Sequence, residues 1–337
     1  MLISFTAVLR PRRVTQFASF CLSGYRMPSR AMLILVRRIG AAVTMLSVAR
    51  ALLSLGTRVL FPRSWPGAAL IRTVKLVALC LCLVVAFMGT SVATALGATA
   101  QEKTSAGDAA LQRFDLEAAL SAYREATQLA PDSYEALWKL SRALADEGTL
   151  TKDRAVQKRL YVEAEQLART AVRLNPQDSK GHVYLAIAVG KLALYEGGKR
   201  KVELSNEIKV EADKAIELNP KEDLAYHVLA IWNREMVELN WMLKKFAELL
   251  YGRFPPASLS SALANLRRAV ELAPRVVPHY VELGITLASA GQWVDAKAEL
   301  EKALAMPRGW VTDEYYWELA KRELQQVKRH IENHTAS

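Results

Sequence analysis

Residues 1–101 contain no aspartate and no glutamate. The same stretch holds eleven Arg and one Lys, which accounts for the formal net charge of +11. From Glu102 onward, 33 basic residues stand against 34 acidic ones. The basic character belongs to a leader, so it is no argument for a nucleic-acid-binding domain, and no nucleic acid is expected as a partner. Cysteine is equally confined. Cys21, Cys80 and Cys82 are the whole complement, so the chain beyond residue 82 can form neither a disulfide nor a cysteine-ligated zinc site. Catalytic signatures are missing too. "YEGGKRK" (195–201) offers glycines and bases without the spacing of a phosphate-binding loop, and reads as a solvated turn. Glu235 and Glu238 lie near His227, but no nucleophile or second carboxylate group accompanies them. The expectation is therefore no catalytic residue, no cofactor, no metal and no enzyme.

Long apolar runs are scarce as well. Residues 76–101 carry no charge, but only Leu76–Met88 is strongly apolar. That is the length of a signal-peptide core, and it fades into "Ala98-Thr99-Ala100", a small-x-small cleavage pattern. Either residues 72–100 form a signal peptide cut near Ala100, or they stay as a membrane anchor through residues 74–96. The Arg-rich, acid-free residues 1–71 look like a transit peptide, or like a start codon placed too early. Each alternative puts Gln101 onward across or against a membrane: the bacterial periplasm, an organelle lumen, a tethered position, or the mitochondrion.

The residues that are present repeat. "EATQLAP", "TAVRLNP", "DKAIELNP" and "RAVELAP" end at Pro131, Pro176, Pro220 and Pro274, and Pro307 follows 33 residues later. Proline cannot continue a helix and biases its predecessor away from helical geometry, so each one punctuates a unit. Five, eight and twelve residues before the first four prolines stand Ala126, Tyr123 and Ala119; Ala171, Ala168 and Ala164; Ala215, Ala212 and Ile208; Ala269, Leu266 and Ala262. These steps keep each set on one helical face. The partner helices carry Ser141, Ala186, Ala230 and Gly284, small residues that permit close approach.

A two-helix unit of about 34 residues ending in proline resembles the tetratricopeptide family over residues 104–307. The expected fold is all-α: a tetratricopeptide-like helix-pair superhelix, an α-solenoid, over residues 101–337, preceded by the basic leader and the apolar signal or anchor segment. Three units exceed 34 residues. The first two insertions read as longer second helices. The third, "NREMVELNWMLKKFAELLYGRFPPASLSS", reads as helical through Tyr251 and breaks at Gly252 and Pro255-Pro256, with Ser258 or Ser260 capping the next helix. "TDEYYWELAKRELQQVKRHIEN" reads as a C-terminal capping helix started by Thr312 or Asp313.

Within that frame, Trp232, Leu239-Asn240-Trp241, Tyr251-Gly252, Pro255-Pro256, Ser258 and Ala262 resemble the regulator of microtubule dynamics family over residues 175–325. The resemblance implies a tetratricopeptide-like protein without a catalytic centre, in a family where some animal members associate with microtubules or mitochondria.

The candidate binding surface is the concave groove lined by the first helix of each unit. Offsets from the prolines assign Trp138, Lys139, Arg142, Tyr184, Ile187, Lys191, His227, Ile231, Arg234, Glu235 and Ile285 to it. This mixture suits an extended peptide or partner helix, and it lacks the Lys/Asn pattern that clamps a terminal carboxylate. The Trp241–Pro256 insertion is the rival surface. His182, His227 and His279 follow their prolines at similar distances, but helix axes 8–10 Å apart favour packing over metal ligation. His330 and His334 read as solvated. Trp232, Trp241 and Trp293 read as core and inter-repeat anchors.

Overall fold

The five prolines each stand two residues beyond a helix. A computed structural model describes residues 99–252 and 256–335. The leader 1–71, the apolar segment 74–96 and the three cysteines lie outside them. Helix α1 occupies residues 99–112 within the described part. It is followed by α2 Leu116–Leu129, α3 Tyr134–Leu150, α4 Arg154–Leu174, α5 Ser179–Glu196, α6 Gly198–Leu218, α7 Asp223–Val237, α8 Trp241–Tyr251, α9 Leu259–Leu272, α10 Val277–Ser289, α11 Trp293–Ala305 and α12 Asp313–Thr335. Among the described residues all regular structure is helical.

Helices α2, α4, α6, α9 and α11 stop just before Pro131, Pro176, Pro220, Pro274 and Pro307. Starts are fixed by side chains that accept from otherwise unpaired amides. Asp115 accepts from Ala118, Asp153 from Ala155 and Val156, Asp178 from Lys180, and Ser258 from Ser261. Asp313 does not cap α12 in this way; its Oδ2 turns back and accepts from the amides of Gly309 (2.7 Å) and Trp310 (2.8 Å).

The helices pair as α1/α2, α3/α4, α5/α6, α7/α9 and α10/α11, with α12 against α10 and α11. First helices also touch in series, α3 to α5, α5 to α7, and α7 to α10, which forms one inner wall. All the small positions before the first four prolines are buried, most at 0% exposure. Ser141 adds a hydrogen bond from its Oγ to Ala164 O (2.8 Å). The first two insertions lengthen α4 and α6 to 21 residues each. "GGKRK" is barely a turn: Gly197, at φ +66°, links α5 to α6, and Gly198–Lys201 are helical.

The third insertion departs from its expected course. The helix ends at Gly252 as expected but is also broken earlier, at residues 238–240, because the Asn240 carboxamide accepts from Leu243 N (3.0 Å) and starts α8 as a separate helix. Trp232 is an anchor, buried with its indole N–H donating to Ser205 O (2.8 Å). Trp241 is not: it is 74% exposed. His330 is not merely solvated, since it stacks on Trp293 at 3.7 Å. Among the described residues no helix is long and apolar enough to cross a membrane. Ala100, at the expected cleavage point, is buried within α1, and its carbonyl accepts from Thr104 Oγ1.

Close approach within a pair makes a direct prediction. A Cβ added to Gly284 would lie 2.6 Å from Leu300 Cγ and 3.2 Å from the backbone oxygen of Ala296, whereas one added to Gly190 meets nothing within 4 Å. Gly284→Ala is expected to lose about 1–3 kcal/mol in denaturant unfolding, and Gly284→Val more. Gly190→Ala, in mid-helix, is expected to be neutral or to gain about 0.5–1 kcal/mol. Equal midpoints for Gly284→Ala and wild type would refute the tight seam.

Candidate functional site

Because first helices face inward, side chains from α3, α5, α7 and α10 share one concave surface. The protein covers part of this surface with its own chain. After Pro307 the segment 308–312 and the first turn of α12 cross the groove. Trp310 donates its indole N–H to Asp146 Oδ2 on α3 (2.9 Å), 164 positions away in sequence. Val311 is buried in the apolar cluster of the first two pairs, beside Leu111, Leu116 and Leu144. Arg308 lies over the Phe114 ring at 4.5 Å, and Phe114 holds a left-handed turn at φ +58°. What remains beneath this strap is a cavity of about 440 Å³.

Eight of the eleven expected groove residues line it: Arg142, Tyr184, Ile187, Lys191, His227, Ile231, Arg234 and Glu235. Three do not. Trp138 stacks on the flank of Tyr184, 5.2 Å apart and nearly parallel. Lys139 is buried between Asp108 (2.6 Å) and Glu135 (2.5 Å), tying α3 to α1. Ile285 packs in the cluster formed by α9 to α12. For these three the side chain is taken up by packing: Trp138 and Lys139 reach the first helix of a neighbouring pair, and Ile285 enters the C-terminal core.

Several lining residues are committed to neighbours. Arg234 Nη2 donates to Glu282 Oε2 (2.7 Å) and Nη1 to Thr286 Oγ1 (2.9 Å), a buried bridge from α7 to α10. Glu235 accepts from Lys201 (2.6 Å); outside the cavity, Glu238 accepts from Ser289 (2.8 Å). The imidazoles of His227 and His279 meet with Nδ1 atoms 3.0 Å apart, and His279 Nε2 lies 2.9 Å from Asp223. The side chains thus bridge the axis separation that the repeat spacing implies. Asp223 accepts from Nε2–H, so the facing Nδ1 atoms share one proton between them. Burial, and then His279, hold His227 well below the usual imidazole range, so it is neutral. Among the described residues no group of three or more potential ligands could hold a metal ion.

The uncommitted part of the wall is cationic and aromatic. Burial works against the Arg142 charge, but Tyr184 and Asp146 more than offset it, and the guanidinium stays a cation. It lies 4.3 Å over the Trp310 ring, 5.9 Å from Trp138 and 6.0 Å from Tyr184. Its Nε is buried without a hydrogen-bond partner. Lys191 sits 6.0 Å from the Tyr316 ring. Burial opposes its charge, yet Tyr316, Tyr161, Tyr315 and Asp146 raise it above the usual lysine range. Asp146 is half-buried and faces the cavity. That burial pushes its carboxyl up to about 6, against the pull of Arg142, the Trp310 N–H and Lys191.

Asp146, Trp310, Glu282 and Tyr316 were not among the expected residues. Asp146 had a local signal, one turn beyond Arg142 on the same helix. Trp310 had none, because its contact depends on the superhelix bringing the two ends together.

A family description reading "Regulator of microtubule dynamics protein 1-3" matches residues 103–328. Regulator of microtubule dynamics protein 3 of Xenopus laevis is 30% identical over 177 residues, 50% of this chain and 38% of that protein. Regulator of microtubule dynamics protein 1 of Homo sapiens is 33% identical over 138 residues, 41% of this chain and 44% of that protein. The matches thus span less than half the length of these relatives. Among solved structures, a thermophilic tetratricopeptide protein of Thermus thermophilus aligns with 66% of this chain and 98% of its own, at 19% identity and a TM-score of 0.48.

The raised Asp146 pKa has a signed consequence. Its folded value of about 6 exceeds the ordinary 3.8, so between those pH values the native state binds more protons than the unfolded chain. Stability contributed by this group therefore falls as pH rises from 4 to 6. Relative to Asp146→Asn, which lacks the titration, wild type is expected to lose up to about 2–3 kcal/mol across that window. The Trp310 indole N–H resonance should shift with a midpoint near 6 in wild type and stay flat in the variant. A midpoint near 4 would show that Asp146 is solvated.

Proposed function

Because the chain belongs to the regulator of microtubule dynamics family, which matches residues 103–328, we propose that it is a non-catalytic interaction scaffold that receives a partner protein or peptide at its concave cavity. The observation that carries this reading is the convergence of residues from α3, α5 and α7 on one cavity of about 440 Å³. Two of its cations, Arg142 and Lys191, are in no ion pair among the described residues and stand among aromatic rings. A cavity of that size takes a few side chains, not a long strand, since the protein's own strap fills the rest of the groove. The partner inserts an anchor beneath the strap and runs the remainder of its chain along the rim.

The leader belongs to the same proposal. Residues 1–71 act as a basic address and residues 72–100 as a signal peptide or anchor, delivering the array of residues 101–337 across a membrane or holding it there through residues 74–96. The alternative follows the names of the relatives: a microtubule- or mitochondrion-associated regulator. Cosedimentation with polymerised tubulin at stoichiometric level would favour that alternative over export.

Two measurements test these readings. A photo-crosslinker at Ile231 in the full chain is expected to label a partner, and Lys191→Met to weaken that partner about tenfold, the loss of one charge-assisted contact. Lys221→Ala, away from the cavity, should leave it unchanged. If Lys191→Met captures the partner as well as wild type does, with melting unaltered, the cavity is not the site. Mass spectrometry of the mature N-terminus is expected to find a start near Gln101. An intact leader on material recovered from cells would rule out cleavage.

A further inference from the structure

Helix α8 is apolar on two opposite faces, and only one of them serves the fold. Leu243, Phe246 and Ala247 pack on the cluster built with α6 and α7. Trp241, Met242 and Leu249 point the other way, 74%, 60% and 83% exposed. With Lys245 these residues fall within an arc of about 100° on the helix. Apolar side chains on the outer face of an already docked helix bury nothing in this chain. Such a face calls for a cover.

We propose that the outer face of α8 docks on the surface of a lipid bilayer carrying anionic headgroups. Three observations point to this occupant. The first is composition: a tryptophan at the helix start, aliphatic side chains beside it, and a lysine whose stem crosses the apolar strip are the elements of a helix that lies in a membrane interface. The lysine can extend its ammonium to the headgroups while its methylenes stay among the apolar residues.

The second is charge. The start of α6 brings Lys199 against α8, its ammonium 5.2 Å over the Phe246 ring. Of the nearby acids, Glu203 is paired with Arg200, Glu235 with Lys201 and Glu248 with Lys245, while Glu238 accepts from Ser289. Lys199 and Lys244 are in no ion pair among the described residues, so the rim of the patch carries uncompensated positive charge.

The third argues against a second copy of the chain. An antiparallel pairing of two α8 helices through Trp241, Lys245 and Leu249 would set the two Lys245 side chains, each 71% exposed here, against each other near the twofold axis. Each is paired with its own Glu248, and burying two such ion pairs in an apolar helix seam carries a desolvation cost that opposes association. The proposal does not depend on how the leader or the concave cavity is used.

The test uses the full chain and reads α8 directly, because the basic leader also binds anionic membranes. Hydroxyl-radical footprinting is run without vesicles, with phosphatidylcholine vesicles, and with phosphatidylcholine vesicles containing phosphatidylserine. Oxidation of Trp241 and Met242, taken relative to Tyr315 in the same sample, is expected to fall severalfold with the anionic vesicles and to change little with neutral ones. Trp241→Ser combined with Leu249→Ser should abolish the protection of Met242 while leaving the melting curve intact. Unchanged oxidation on sedimented vesicles would overturn the proposal, since the chain would then be bound through another part. Protection that grows with protein concentration in the absence of vesicles would overturn it in favour of a second copy. Protection that requires an added protein would overturn it in favour of a protein partner.

Discussion

Everything in the array depends on how closely the two helices of a pair approach. A Cβ added at Gly107, Gly148 or Gly284 would come within 2.4, 2.3 and 2.6 Å of a side chain on the partner helix. In each case the space is filled by a large residue from that partner, Tyr123, Tyr161 or Leu300. One side supplies the hole and the other the knob, with rows of alanine on either flank. Ridges set this deep fix the crossing of each pair, and the repeated crossing makes the first helices follow one another along an inner wall. The concave cavity is thus a consequence of glycine and alanine placement, far from the residues that line it.

Curvature also brings the ends within reach of each other, and the strap exploits this. With Trp310 bonded to Asp146 and Val311 buried beside Leu111, the last helix is tied to the first pairs. The closure has an electrostatic cost, because it removes charged side chains of the inner wall from water. Different groups offset that cost in different ways. Arg142 uses aromatic faces, and Lys191 the oxygens of nearby tyrosines and Asp146. Arg234 uses a complete pair with Glu282 and Thr286. A buried pair of this kind adds little over apolar side chains of the same volume, but breaking it is expensive. Its role is therefore register: with the His227–His279–Asp223 contact, it defines one setting of α7 against α10 where few apolar contacts would do so.

The parts of this arrangement that depend on local chemistry were legible in the amino-acid sequence. The prolines located the helix ends, the small residues at five, eight and twelve positions before them identified the buried seam, and Ser258 was recognisable as a cap. These signals are carried by the residue itself or by neighbours within one turn. What was not legible there has a different property. Arg234 has the offset of a groove residue, yet it is consumed by Glu282, 48 positions away. Lys139 is consumed by Asp108 on the preceding pair. The contact of Trp310 with Asp146 exists only because the superhelix has a particular rise and rotation per pair. Proline spacing states how many residues a pair contains, not how far each pair turns. The residues facing the groove could be chosen to within a turn; whether their side chains were free could not.

The insertions carry the same logic one step further. The extra residues of the first two long units extend α4 and α6 to 21 residues each, which is more length than their pairing partners require. The overhang does not project into solvent unsupported. Tyr161 of α4, Val202 and Leu204 of α6, Leu239 in the break and Ala247 of α8 share one buried cluster with Trp232 and Met236 of α7. The third insertion could not form part of this cluster as a continuation of α7, because a straight helix would carry Leu243 and Phe246 past the end of the array. The break at residues 238–240, capped by Asn240, turns the chain back over α6 and so lets those two side chains reach it. A helix laid across an edge in this way covers the overhang with one face and must expose the other. The three insertions therefore act as a single structural unit: two build a platform, and the third lies on it with its second apolar face outward.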